Sequence, residues 1–166
     1  MKNSAPPELA ILPEDNPYRD LALGFRSHPG LESDILSIRR NCKGWLKVFE
    51  LLQKKILREM RRKKSLYVLL LIDFDKYREE RVAKLNGLPE DLRGRIFLMG
   101  CSKDSEKFKR TLGGGMAENI GYNMAEHCFG APKPGAVNPW ESPDWKENLK
   151  TVEKIRRIFG ERLVRR

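Results

Sequence analysis

The chain has 166 residues, of which 33 are lysine or arginine and 23 are aspartate or glutamate, so its formal net charge is +10. This length suits one compact domain that folds without disulfides or a structural metal. No apolar run approaches the roughly 18 residues of a membrane span, and the first residues lack the apolar region of a secretory signal. Three widely spaced cysteines argue against a disulfide scaffold. We therefore expect a cytoplasmic protein with no membrane segment. Its positive charge favours an anionic partner, and nucleic acid is a commoner partner of this kind than an acidic protein surface.

Strand-like and helix-like patterns alternate along the first half of the chain. A short apolar strand at Leu9–Leu12 precedes a helix for which Asn16 is the expected N-cap and Pro17 the first residue. A second strand is expected within Asp34–Arg39, followed by a long amphipathic helix that ends in a basic run. The run Leu66–Ile72 contains no polar residue, which is typical of a central strand covered on both faces.

The second half continues the alternation with a charged helix, a strand and three further helices. The charged helix is expected to end at Asn86, and the strand is expected at Arg95–Gly100. The three further helices are expected at Ser105–Leu112, Met116–Cys128 and Asp144–Phe159. The pattern predicts an α/β fold, with a mostly parallel sheet of about four strands flanked by helices and joined by right-handed crossovers. We expect residues 1–112 to form the α/β domain and residues 113–166 a helical C-terminal extension packed on it.

Acidic residues follow two of the predicted strands. Glu14 and Asp15 come after the first strand, and Asp73 and Asp75 come after the third. Ligands of open parallel sheets bind beyond the carboxyl ends of the strands, and residues two apart in extended backbone point to the same side. Converging carboxylates repel one another, and a hard cation such as Mg²⁺ or Mn²⁺ relieves the repulsion and can clamp phosphate oxygens. The four residues therefore predict a metal site, unless the aspartates only cap the next helix and Glu14 is a solvated turn residue.

These acids, together with Gly44 before the long helix, resemble the motif of a TOPRIM domain. The segment Ser102–Lys107 after the fourth strand is similar to one in small stand-alone, defence-associated proteins of the OLD-nuclease kind, so the resemblance spans about residues 8–112. It implies that Glu14 is an acid/base residue or a metal ligand and that Asp73 and Asp75 hold Mg²⁺ for phosphodiester cleavage. The protein would then be a nuclease, or a nuclease-like subunit of a larger defence or repair complex.

Two other interpretations stay open. The segment Ile11–Pro17 resembles the start of a response-regulator receiver domain, which would make Asp73 a phosphoacceptor. The spacing to Asp73 is longer than that family usually has, and no lysine closes a fifth strand. The other alternative is a non-catalytic subunit that keeps the fold and docks an acidic protein partner.

Basic residues concentrate in two runs that flank the long helix and in the C-terminal tail. The first is expected beside the carboxyl end of the second strand, on the same edge of the sheet as the acids, where it would hold backbone phosphates near the metal. The second, at the far end of the helix, should contribute less, and either run could instead be a solvated surface. The candidate nucleic-acid-binding residues are Arg39, Arg40, Lys43, Lys76, Arg61, Arg62, Lys63 and Lys64.

Overall fold

Four parallel strands form one sheet between two layers of helices. The computed structural model describes residues 5–75, 77–102, 110 and 115–163. Neighbouring strands pair in parallel in the order β2-β1-β3-β4, which confirms the predicted α/β fold. The strands are β1 (Glu8–Pro13), β2 (Leu36–Ile38), β3 (Leu66–Leu71) and β4 (Ile96–Met99).

Seven α-helices have both ends within the described residues, and one pair of them is joined through a π-helical turn. The turn, Leu52–Ile56, continues α2 into α3, so the predicted long helix is present but contains one wider turn. The helices are α1 (Asn16–Arg26), α2 (Trp45–Leu51), α3 (Leu57–Arg62), α4 (Arg78–Asn86), α5 (Glu90–Arg93), α6 (Ala117–Phe129) and α7 (Leu149–Phe159). The helix expected at Ser105–Leu112 lies outside the described residues, apart from Arg110.

Alternate residues of the strands point into two separate apolar layers. On one face, Leu9, Ile11 and Leu69 pack with residues of α1, α6 and α7. On the other face, Ala10, Leu12 and their neighbours in β3 pack against α2 to α5. Because β3 is covered on both sides, all its residues are apolar or aromatic. The chain moves from β1 to β2 in one direction and from β2 to β3 in the other, so right-handed crossovers place α1 and the α2–α3 pair on opposite faces.

The C-terminal helices complete the layer that α1 begins. A Cβ atom at Gly24 would lie 1.9 Å from the carbonyl oxygen of Glu118, and one at Gly121 would lie 1.9 Å from that of Leu21, so only glycine allows α1 and α6 to approach this closely. Buried Asn148 bonds both the N–H and the carbonyl of Gly100 at the end of β4. The division between residues 112 and 113 stays a prediction, because it falls outside the described residues.

The start of α1 differs from the sequence prediction by one residue. Asp15 is the N-cap, and its Oδ1 accepts a hydrogen bond of 3.1 Å from the Tyr18 N–H. The expectation that Asn16 caps this helix is therefore wrong, because the side chain of Asp15, one residue earlier, accepts the hydrogen bond from the Tyr18 N–H in the first turn. Cys42, Cys101 and Cys128 are all free thiols. Within the described ranges, no helix is both long and apolar enough to cross a membrane.

Candidate functional site

The acids after β1 and β3 meet at the point where the sheet connections diverge. β1 continues to β2 on one side and β3 continues to β4 on the other, so the connections leave the carboxyl ends of these two strands in opposite directions. In open α/β sheets, ligands commonly bind at such a point. The Glu14 N–H donates to the Leu71 carbonyl at 2.9 Å. This bond continues the β1–β3 pairing one residue past the end of β1. Glu14 and Asp73 therefore lie side by side at the position where open α/β sheets bind ligands.

Glu14 is held by backbone amides from two other elements. Its Oε2 accepts a hydrogen bond of 2.7 Å from the Asp73 N–H, and its backbone carbonyl accepts one of 3.2 Å from the Gly44 N–H immediately before α2. The turn before α2 makes this possible, since Lys43 and Gly44 have φ angles of 59° and 132°. Glu14 thus links the ends of β1 and β3 and the start of α2, so its interpretation as a solvated turn residue is wrong.

Asp73 is held by a buried tyrosine that sequence analysis did not assign to the site. The Tyr18 hydroxyl donates to Asp73 Oδ1 at 2.6 Å and accepts from the Cys101 N–H at 2.9 Å. Only 2% of Tyr18 is exposed. One residue of α1 therefore joins the ends of β3 and β4, and its position at the first turn of a helix after an acid-rich strand end is the signal that could have identified it.

Burial and mutual repulsion shift the titration of these carboxyls in the same direction. Burial raises the pKa of Asp73 to about 7, and the charges of Glu14, Asp15 and Asp75 add to this effect while the Tyr18 hydroxyl opposes it. Burial also raises the pKa of Glu14, against the bond from the Asp73 amide. Burial raises the pKa of the Tyr18 hydroxyl well above its usual range. The site therefore holds negative charge that its surroundings compensate only in part.

Asp75 differs from its neighbour in backbone and exposure. Its φ angle is 45° and its side chain is exposed, so the expectation that extended backbone aligns it with Asp73 is wrong at this turn. Its charge still raises the pKa of Asp73. In the part of the chain that the structure describes, no three histidine, cysteine or acidic side chains form a group that could hold a metal ion.

A buried arginine lies beside the acids, and its position within a charged helix did not distinguish it from its exposed neighbours. Arg81 of α4 is 4% exposed, and its guanidinium lies 4.0 Å from the centre of the Trp45 ring. It pairs with Glu80 at 3.2 Å, whereas its Nε is buried with no hydrogen-bond partner among the described residues. Its charge lowers the pKa of Glu14. Arg81 thus supplies a fixed positive charge on one side of the carboxylate pair.

The first basic run lies at this edge, but its members differ in availability. Arg39 Nη2 forms an ion pair of 2.7 Å with Glu59 Oε1, and both side chains are half-buried. Arg40 and Lys43 are exposed after β2. The structure therefore leaves Arg40 and Lys43 open to an anion and directs Arg39 towards α3. Lys76 lies outside the described residues, as does Ser102–Lys107 apart from Ser102.

The second basic run lies at the opposite end of the strands, next to the amino end of β1. Lys63 pairs with Glu8, the first residue of β1, while Arg61, Arg62 and Lys64 are exposed. A strand rises about 3.3 Å per residue, so this end lies roughly 20 Å from Glu14. The second run is therefore separated from the acids by the length of the sheet.

Comparison of the chain with protein-family models, with curated proteins and with solved structures gives no match.

Proposed function

We propose that the protein cleaves phosphodiester bonds of nucleic acid with Mg²⁺ or Mn²⁺ bound at the Glu14–Asp73 edge. The observation that carries this proposal is the hydrogen-bonded contact between Glu14 and Asp73 at the carboxyl ends of β1 and β3. Neither carboxylate forms an ion pair within 4.0 Å with a lysine or arginine of the described residues. Two partly compensated carboxylates at a ligand-binding edge favour a hard cation.

The donor chemistry fits such an ion. Mg²⁺ takes oxygen ligands and is commonly held by one or two carboxylates, with water and substrate phosphates completing its coordination. Glu14 and Asp73 would be those carboxylates, and Asp15 and Asp75 would add negative charge nearby. When bound, the ion would stabilise charge on the phosphate and lower the pKa of a coordinated water.

The residues around the pair fix its geometry. Tyr18 orients Asp73 through its hydroxyl, and the Asp73 N–H orients Glu14. Both contacts arise from buried or half-buried groups, so the carboxylates are positioned before a ligand arrives. Such positioning lowers the entropy lost when reacting groups are brought together.

The basic surface supports nucleic acid as the substrate. The formal charge of +10 and the exposed Arg40 and Lys43 at the same edge favour a polyanion over a small neutral molecule. We further propose, from the TOPRIM-like motif, that the protein acts within a larger defence or repair complex. The three free thiols support a location in the reducing cytoplasm.

The test is cleavage of circular plasmid and of single-stranded DNA and RNA with Mg²⁺ or Mn²⁺. We expect Asp73→Asn to reduce cleavage by at least about 100-fold, because several kcal/mol of charge stabilisation is lost with the metal. Asp91→Asn, an exposed acid on α5, is the matched control and should cleave like the parent. A parent protein that cleaves no substrate with either metal contradicts the proposal. Binding to an acidic protein but not to nucleic acid would support the docking alternative, and transfer of phosphate from acetyl phosphate to Asp73 the signalling one.

A further inference from the structure

A polar cleft opens at the carboxyl ends of the strands, between α1 and the end of β2. Its volume is about 360 Å³. On one side the Asn41 side-chain amide donates to the Asn16 side-chain carbonyl at 2.8 Å, which joins the β2 end to the start of α1. The cleft is lined by Asn16, Arg19, Ile38, Arg40 and Asn41. We call it the Arg19–Arg40 cleft.

Two arginines line this cleft without a compensating charge. Arg19 and Arg40 are exposed, and neither forms an ion pair with a residue that the structure describes. Arg39, next in the chain to Arg40, behaves differently because Glu59 neutralises it. Two guanidinium groups around one cleft repel each other, and an anion between them would remove that repulsion.

The chemistry of the lining suits an oxyanion such as a phosphate group. Each guanidinium presents a planar set of N–H donors that matches the oxygens of a phosphate group, often through two hydrogen bonds at once. The asparagine side chains contribute further polar groups at the wall of the cleft. The lining therefore fits a phosphodiester group better than it fits an apolar or cationic ligand.

The cleft lies next to the proposed cleavage site. β2 neighbours β1, and β1 neighbours β3, with strands spaced about 4.8 Å apart. The end of β2 is thus roughly 5–10 Å from the ends of the strands that carry Glu14 and Asp73. A nucleic-acid strand that crosses the edge of the sheet would place one phosphate at the acids and a neighbouring phosphate over the arginines.

We propose that the Arg19–Arg40 cleft binds a backbone phosphate adjacent to the one cleaved at the Glu14–Asp73 edge. The inference rests on the proposed function for its substrate, and it adds Arg19, which lies in a helix away from the basic runs. It also replaces Arg39 with Arg19 as the partner of Arg40 in phosphate binding.

The test measures binding without cleavage. A fluorescein-labelled single-stranded oligonucleotide, as DNA and as RNA, is titrated with protein in EDTA between about 50 and 200 mM salt. Each phosphate contact on a single strand contributes about 0.7 to the slope of log affinity against log salt. We expect Arg19→Gln and Arg40→Gln each to flatten the slope by about 0.7, and the double variant by about 1.4.

Arg26→Gln provides the matched control, since it removes the same charge from the other end of α1. It should change the slope by less than half of the effect of Arg19→Gln. Slopes for Arg19→Gln and Arg40→Gln that change no more than that of Arg26→Gln would overturn the inference. So would a parent protein that fails to bind the oligonucleotide at the lowest salt concentration.

The same variants separate this inference from the proposed function. Binding through both arginines in EDTA, without cleavage when metal is added, would support the cleft and contradict the nuclease proposal. Metal-dependent cleavage together with unchanged salt slopes in the arginine variants would support the nuclease proposal and contradict phosphate binding in the cleft.

Discussion

Two polar pairs lie at opposite ends of α1, and they differ in how their charges are satisfied. Glu14 and Asp73, near the start of the helix, are two acids in contact through one backbone N–H. His28 and Glu126, beyond its last residue, are complementary, because the His28 Nε2 lies 2.6 Å from Glu126 Oε2. The Gly30 N–H donates to the His28 Nδ1 at 3.0 Å, so this network assigns the proton to Nε2. Both nitrogens of His28 therefore have partners.

The difference separates a structural pair from a candidate active site. The His28–Glu126 pair joins α1 to α6 and leaves no unused donor on the imidazole, so it needs no ligand. The Glu14–Asp73 pair lies at the carboxyl ends of the strands, with negative charge that the protein compensates only in part. Removing one partner of a buried complementary pair destabilises a fold, whereas an adjacent pair of like charge favours an added cation.

The largest expected effect on stability comes from the structural pair. His28→Leu leaves the Gly30 N–H and the Glu126 carboxylate without their partner, and we expect it to lower the free energy of unfolding by about 3 kcal/mol. Urea denaturation measures this loss. Cleavage and metal binding by the folded variant should equal those of the parent, and a loss of either would show that the two ends of α1 are not separate in function.

Tyr18→Phe tests how the acid pair is positioned. The variant removes both the donor to Asp73 Oδ1 and the acceptor of the bond from the buried Cys101 N–H, so we expect it to lose about 2 kcal/mol of unfolding free energy. Tyr67→Phe is the control, because no hydrogen bond joins the Tyr67 hydroxyl to another described residue, and it should change stability by less than about 0.5 kcal/mol. Equal stabilities for the two variants in urea denaturation would contradict the assigned hydrogen bonds.

The smallest expected effect is a gain in stability that depends on pH. The pKa of Asp73 rises from 3.8 to about 7 on folding, so the folded state binds the proton more tightly than the unfolded state. The stability that this proton contributes is complete below about pH 4 and is lost as the pH rises to about 7. Without metal, Asp73→Asn should therefore match the parent near pH 4 and exceed it at pH 8 by about 1–2 kcal/mol, after allowance for solvent screening. A difference that is constant over this range in denaturation experiments would contradict the shift.

The fold followed from the sequence where local patterns decide it. The wholly apolar β3 predicted a central strand, and the 3.6-residue periodicity predicted the long helix at Trp45–Arg62. The order of the strands was not predictable, because it depends on which strands pair across the whole chain. That order is what brings Glu14 and Asp73 together.

The site was predictable only in its acids. Asp73 and Glu14 follow strands, so their edge of the sheet could be inferred from chain position. The partners of Arg39 and Asp73 could not be inferred in this way. Glu59 and Tyr18 contact them because of how entire helices are oriented against the sheet. Asp75 departed from its expected alignment because the backbone turns to a φ of 45° immediately after the strand.

Calorimetric titration with Mn²⁺ tests the central claim most directly, because it needs neither substrate nor partner. The account predicts that the parent binds Mn²⁺, that Asp73→Asn and Glu14→Gln each weaken binding by at least about 100-fold, and that Asp91→Asn binds as the parent does. A parent that takes up no Mn²⁺, or an Asp73→Asn variant that binds it as tightly as the parent, would contradict the claim that these two carboxylates form a metal site.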